Sequence, residues 1–240
     1  MITDYGYMEY SGRTLKWCDS DSEQIYKKNY TTNRSELEQN GWIDIEIDYT
    51  FNFYGFRTAE FDINVQGPVL FLGCSHTMGI GLKQEQTFVH HVGTALGKPF
   101  YNLSKGGAAN NTLFRFASVW IPRLRPSKVI VMTTYRERIE FLDPFKGSFI
   151  SYLPNDTRPD DDYLKWYHAY LARPENANLQ RSMCLNAIEN LCTKHGADYH
   201  VFDIDSKDVR SRSVDLARDL AHFGPQSHKN YADWILNNIT

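Results

Sequence analysis

Three short segments of this chain hold residue types that together could run acyl transfer. The first is Leu72-Gly-Cys-Ser75-His-Thr-Met-Gly79, a serine just past an apolar run and flanked by glycines that permit a tight turn. A hydroxyl is a weak nucleophile; it needs a base, and the base needs an orienting carboxylate. The segment is not a G-x-S-x-G elbow, and a serine at the end of a strand often serves only as a turn or cap. A base and a carboxylate stand together near the C-terminus, in Arg218-Asp219-Leu-Ala-His222-Phe-Gly-Pro-Gln-Ser-His228. Asp219 and His222 are three residues apart, so a helical arc turns both the same way. Gly224-Pro225 then ends the segment and starts a helix, which leaves the pair on a loop. His228 reads as a residue of that helix's first turn. Between the two lies Tyr101-Asn-Leu-Ser-Lys-Gly-Gly107-Ala-Ala-Asn-Asn111, whose glycines can turn backbone N–H groups toward an anion. The plainer reading of that segment is a turn with Asn110 or Asn111 capping a helix.

These segments need a frame that brings them to one place. Val69-Leu-Phe-Leu72 and Val129-Ile-Val-Met132 are continuous apolar runs, as in buried parallel strands. Two shorter strands are expected at Pro99–Leu103 and Asp198–Ile204. Helices are expected over 84–96, 110–124, 162–172, 177–195 and 225–239, with apolar residues such as Leu113, Phe116, Ala117, Trp120, Ile121 and Leu124 at helical spacing. Strand–helix alternation predicts an α/β fold with a doubly wound, mostly parallel sheet, whose sites form at the carboxyl ends of the strands. All three segments follow such ends or reach toward them. Upstream, residues 1–40 show weak periodicity and are read as irregular. Ile43, Ile45, Ile47 and Tyr49 alternate with Asp44, Glu46 and Asp48, which predicts a half-exposed edge strand or hairpin. The expected organisation is an N-terminal β extension, residues 1–60, packed on a core domain of residues 61–240. The segment 142–161, with Pro144, Pro154 and Pro159 and the acidic run Asp160–Asp162, reads as an excursion or lid with a solvated loop.

Composition narrows the classes. Lys+Arg number 26 and Asp+Glu 29, a formal charge of −3, which argues against a nucleic-acid footprint. Hydrophobic residues at 42% and charged ones at 23% suit a globular chain. No run approaches the roughly 18 apolar residues of a membrane span, and no basic stretch followed by an apolar one marks the N-terminus, so a cytoplasmic location is expected. Aromatic content of 14% suggests either a large core or a surface that grips flat ligands such as sugars. The cysteines at 18, 74, 184 and 192 form no C-x-x-C pair and are expected to be free thiols. Asp203 and Asp205 could ligate a metal but no cluster joins them, His90 and His91 sit on a helix, and His195 precedes a helix-ending glycine; no metal site is expected.

The ordered set Gly-x-Ser75, Asn102-x-x-x-x-Gly107 and Asp219-x-x-His222-x-Gly-Pro-x-x-His228 resembles the SGNH (GDSL-type) hydrolases, over about three quarters of the chain. Asn52-x-x-Gly55-Phe56-Arg57 is similar to a lead-in of some members, and the segment pattern looks like a phage-type subset. The resemblance implies the flavodoxin-like SGNH fold, a catalytic triad of Ser75, His222 and Asp219, and an oxyanion hole from the Ser75 and Gly107 amides. Two positions depart from it. Cys74 stands where the family usually has Asp, and Thr133-Thr-Tyr-Arg136-Glu-Arg138 replaces the third segment that normally supplies an Asn. Arg136 falls nearest that Asn and is the candidate third oxyanion donor or an anchor for an anionic group; the alternative is an ion pair to Glu137, Glu140 or a lid aspartate. Tyr135, Asn110 and His76 are the candidates for touching substrate. The implied function is a serine esterase that removes a small, acetyl-like group, on a carbohydrate or other small-molecule ester, without cofactor. An O-acyltransferase with the same triad and a catalytically weak binding or structural protein are the alternatives.

Overall fold

The computed structural model describes residues 8–143, 148–154, 156 and 162–239. In chain order its strands are β1 (Thr14–Leu15), β2 (Tyr49–Thr50), β3 (Val69–Leu72), β4 (Phe100–Asn102), β5 (Lys128–Met132), β6 (Ile139–Asp143), β7 (Ser148–Tyr152) and β8 (Asp198–Phe202). The α-helices are α1 (Glu23–Thr32), α2 (Arg34–Gln39), α3 (Ser75–Met78), α4 (Phe88–Ala95), α5 (Asn110–Leu124), α6 (Asp162–Trp166), α7 (Pro174–His195), α8 (Lys207–Arg212) and α9 (Pro225–Ile239). Four strands form one parallel sheet in the order β4-β3-β5-β8. All four residues of β3 are buried, as its unbroken apolar run requires. The chain leaves β3 toward β4 on one side and later crosses to β5 on the other. Right-handed crossovers in opposite directions put α4 and α5 on opposite faces. There α4 packs with α9 and α5 with α7, so the sheet is covered on both sides. The fold is α/β and doubly wound, and the crevice between the carboxyl ends of β3 and β5 is its switch point.

The N-terminal part differs from its expectation in two ways. Residues 1–40 are not irregular throughout, since α1 and α2 form there. Ser22 caps α1 by accepting the Ile25 N–H. The helix escapes detection because its one buried residue is Asn29, and its contacts to the core come from Tyr26 and Tyr30. The alternating stretch from Ile43 turns its odd residues inward, with Ile43 and Ile45 half-buried, Ile47 and Tyr49 fully covered, and Glu46 and Asp48 exposed. Yet only Tyr49–Thr50 pairs, antiparallel with β1. Side chains hold the rest of its backbone: Arg218 donates to the Ile45 carbonyl (2.9 Å), Arg57 to that of Asp48 (3.2 Å), and the Asp44 N–H bonds to the Tyr26 hydroxyl (3.1 Å).

The excursion after β5 contains an antiparallel hairpin, β6–β7, followed by α6 and a π-helical turn at Tyr167–Leu171. Tyr152, Leu164 and Tyr167 form its own small core. Pro144, Pro159, Asp160 and Asp161 lie outside the described residues; Asp162 is exposed and pairs with Lys165 at 3.0 Å. Much of the aromatic content is structural: Tyr54, Phe56, Phe61, Phe116 and Trp120 pack ring on ring against the main core. The four cysteines are free, and Cys18, Cys74 and Cys192 are buried. No helix among the described residues is long and apolar enough to cross a membrane.

Candidate active site

Ser75 opens α3 directly beyond β3. Gly73 is required there because a Cβ would stand 1.9 Å from Thr77 Oγ1. The loop returns through Gly81 at φ +74°, where a Cβ would meet the Ala217 Cβ at 2.8 Å and the Arg218 backbone nitrogen at 3.0 Å. This close approach seats the 217–222 loop against the serine turn. Ser75 Oγ lies 2.8 Å from His222 Nε2, and His222 Nδ1 lies 2.6 Å from Asp219 Oδ2. The structure thus brings Ser75, His222 and Asp219 into one hydrogen-bonded line.

Asp219 is fixed from several directions. Its Oδ1 accepts the Ala221 and His222 N–H groups, at 3.1 and 3.0 Å. Its Oδ2 also accepts the Ser20 hydroxyl at 2.7 Å, and Ser20 Oγ is 3.4 Å from His222 Nδ1. Asn29 donates to the Asp219 carbonyl at 3.2 Å. Burial alone would raise the Asp219 carboxyl, but hydrogen bonding and charge from His222, with help from Ser20, outweigh it and hold the group down at about 2. Asp219 is therefore ionised at neutral pH and keeps a proton on His222 Nδ1, leaving Nε2 to accept from Ser75.

The N-terminal segment builds the back of this site. Arg218 forms a buried two-bond ion pair with Asp21, Nε to Oδ1 at 2.9 Å and Nη2 to Oδ2 at 2.7 Å. Tyr49 donates to the same carboxylate (2.5 Å) and accepts the Gly81 N–H (2.7 Å). Trp42 Nε1 donates to the Leu216 carbonyl at 2.8 Å. Arg57, from the lead-in segment, is buried and donates to the carbonyls of Gly79 (2.6 Å) and Leu82 (2.7 Å). Ser20, Asp21 and Asn29 were absent from the sequence-based site. They sit in a stretch with no usable periodicity, and their partners lie roughly 200 residues away.

The other expected site residues divide. The loop after β4 is tied to the serine turn by Asn102, which donates to the Thr77 carbonyl at 3.0 Å. Gly107 has φ +67° and a Cβ there would meet open space, so its need for glycine is conformational, not steric. The Asn110 amide is already engaged within the protein. It is buried, and both side-chain ends are spent on Thr134, donating to its carbonyl and accepting its N–H, each at 3.3 Å. His76 is likewise buried, its ring 4.7 Å from that of His222 and 4.4 Å from that of Phe223, and it backs the histidine instead of lining an open surface. Burial first, then the neighbouring histidines, push its imidazole well below the ordinary range. Arg136 makes an ion pair with Glu137 at 3.2 Å and donates to Asn178 on α7 at 3.3 Å. These contacts match the ion-pair alternative and give no support to an oxyanion role. Tyr135 remains half-buried at the rim; burial, and then Cys74 beside the serine, raise its phenol. His228 is a buried helix residue whose Nδ1 accepts the Phe88 N–H at 3.0 Å. Asp203 pairs with Arg181 at 2.8 Å. No group of three or more His, Cys, Asp or Glu residues among those described could hold a metal ion.

No protein-family model matches the chain, and no curated protein matches it in sequence. Solved structures do. An acetyl xylan esterase, Est2A, from Butyrivibrio proteoclasticus aligns at 16% identity and a TM-score of 0.41, covering 73% of this chain and 63% of that one. The present chain thus spans less than two thirds of that protein's length. A GDSL-like lipase from Bacteroides thetaiotaomicron aligns at 12% identity over 89% of this chain and 96% of its own, with a TM-score of 0.36. TesA aligns at 13% identity over 72% and 98%, with a TM-score of 0.38.

Proposed function

We propose that this protein is a serine ester hydrolase of the SGNH type that works through an acyl-serine. The observation that carries the reading is the continuous line Ser75 Oγ–His222 Nε2–Nδ1–Asp219 Oδ2, at 2.8 and 2.6 Å. His222 removes the proton as Ser75 attacks the ester carbonyl. It then gives that proton to the leaving alkoxide, and later activates the water that releases the acid. Asp219 steadies the imidazolium without taking its proton. The developing oxyanion is held by the amides of Ser75, at the start of α3, and Gly107. Ser20 is a positioning residue that braces Asp219. The acyl group is small and acetyl-like, and its carrier is a carbohydrate. The exposed rings of Tyr163, Trp166 and Tyr170, on the excursion after the hairpin, support a sugar-facing surface.

The test is hydrolysis of 4-nitrophenyl acetate and of an acetylated oligosaccharide, followed by release of 4-nitrophenol and of acetate. Wild-type turnover of both, with His222→Ala slowed by about 10⁴-fold or more, supports the reading. A His222→Ala variant as active as wild type contradicts it.

A further inference from the structure

The loop between β5 and β6 carries a cation for which the described residues offer no counter-charge. Arg138 Nε and Nη1 are both buried and make no hydrogen bond. The guanidinium lies 4.8 Å over the Tyr135 ring, and no carboxylate among the described residues pairs with it. Its neighbours differ. Arg136 has Glu137, Arg181 has Asp203, and Arg115 has Glu140 at 2.8 and 3.0 Å. The residue is half-buried, and covering two of its guanidinium nitrogens without a hydrogen bond, with only the Tyr135 ring face beside the charge, is costly enough that such groups are normally paired.

The arginine is also held in place. Asn110 bonds both backbone groups of Thr134, and Asn111 does the same to Glu140, donating to its carbonyl at 2.6 Å and accepting its N–H at 3.0 Å. Two adjacent amides at the start of α5 therefore pin both ends of the 134–140 loop. Within it, the Arg138 N–H closes a turn onto the Tyr135 carbonyl at 3.1 Å. Beside Arg138 opens a shallow surface cleft walled by Asn110, Asn111, Arg136, Arg138, Gln180 and Arg181. Because β5 adjoins β3, this loop stands on the same rim as Ser75.

We propose that this cleft binds a carboxylate carried by the ester substrate, so that the preferred substrate is an acetylated acidic sugar. The proposal rests on the serine hydrolase reading for the ester, but not for the binding. One uncompensated guanidinium matches one negative charge, which favours a carboxylate over a dianionic phosphate. A charge-assisted hydrogen bond to a preorganised arginine would give the acidic ester an advantage of roughly tenfold or more.

The experiment compares kcat/KM for methyl O-acetyl-glucuronate and its neutral methyl O-acetyl-glucoside counterpart, in wild type and in Arg138→Gln. Alongside it, glucuronate binding to Ser75→Ala and to Ser75→Ala/Arg138→Gln is measured by calorimetry. Wild type should favour the acid by about tenfold. Arg138→Gln should bring the ratio near one, mainly through KM, and the double variant should lose glucuronate binding. If Arg138→Gln does not fold, the wild-type ratio measured against added salt carries the test: it should fall as salt rises, because the interaction is ionic. A ratio that salt leaves unchanged counts against the proposal. Equal turnover of the two esters by wild type overturns the carboxylate cleft and leaves the hydrolase reading standing. Glucuronate binding through Arg138 without hydrolysis of either ester does the reverse. Inorganic phosphate competing as well as glucuronate overturns the assignment to a carboxylate.

Discussion

At the scale of single residues Asp219 and its surroundings hold the catalytic histidine in place. Its carboxylate accepts from His222, from two backbone amides and from Ser20, and the Ser20 contact comes from a position 199 residues away in sequence. Nothing in the Asp219–His222 spacing could announce it, whereas Ser75, Asp219 and His222 are singled out by the ordered resemblance of their segments to SGNH motifs, each segment being weak alone. Ser20→Ala removes one hydrogen bond to a charged group. It should lower kcat by about tenfold with KM and thermal midpoint little changed; a variant with wild-type kcat would remove Ser20 from the positioning shell. Arg136 stands at the other extreme. Its pair with Glu137 is partly exposed, and such pairs contribute about 0–1 kcal/mol. Arg136→Ala should therefore leave kcat within about twofold, and a large fall in kcat at unchanged KM would restore it as an oxyanion donor.

At the scale of elements, the sheet and the N-terminal segment were legible to different degrees for a physical reason. β3 and β5 are buried on both faces, and burial writes itself as unbroken Val, Ile, Leu and Phe. The segment from Tyr10 to Asn40 is tied to the catalytic loop by hydrogen bonds from polar groups such as Ser20, Asp21 and Asn29, and those leave no period. The extended stretch from Ile43 kept the right residues inside but lost its ladder to Arg57, Arg218 and Tyr26. The Asp21–Arg218 pair is what couples this segment to the catalytic loop. Removing one partner strands a buried charge, at a cost of about 3–5 kcal/mol. Asp21→Ala should show that loss in urea denaturation and should also lower kcat, since Arg218 adjoins Asp219. A change under about 1 kcal/mol would mean that the pair is not what joins the two parts.

At the scale of the whole molecule, two buried histidines contribute to the response to acid. Burial, with nearby cationic groups, holds His228 at about 3 and pushes His76 well below the ordinary range. Both are neutral in the folded protein, while in the unfolded chain they bind protons below about pH 6.5. The unfolded state therefore gains protons first. Stability should be full above that value and fall as pH drops toward 4, by about 1.4 kcal/mol per pH unit from His228, with His76 acting in the same direction. Asp219 acts lower down, since its contribution persists above about pH 4 and is lost only toward 2. Thermal midpoints across pH 4–8 check this, and a flat profile between 6.5 and 4.5 would contradict it. Above all these stands the claim that the fold delivers an activated serine at the β3 end. Its most direct measurement is labelling by a fluorophosphonate, with the modified peptide identified by mass spectrometry. The account predicts a single adduct on Ser75, no adduct in Ser75→Ala, and labelling slowed by orders of magnitude in His222→Ala. Undiminished labelling of Ser75→Ala, or an adduct on another residue, would contradict it.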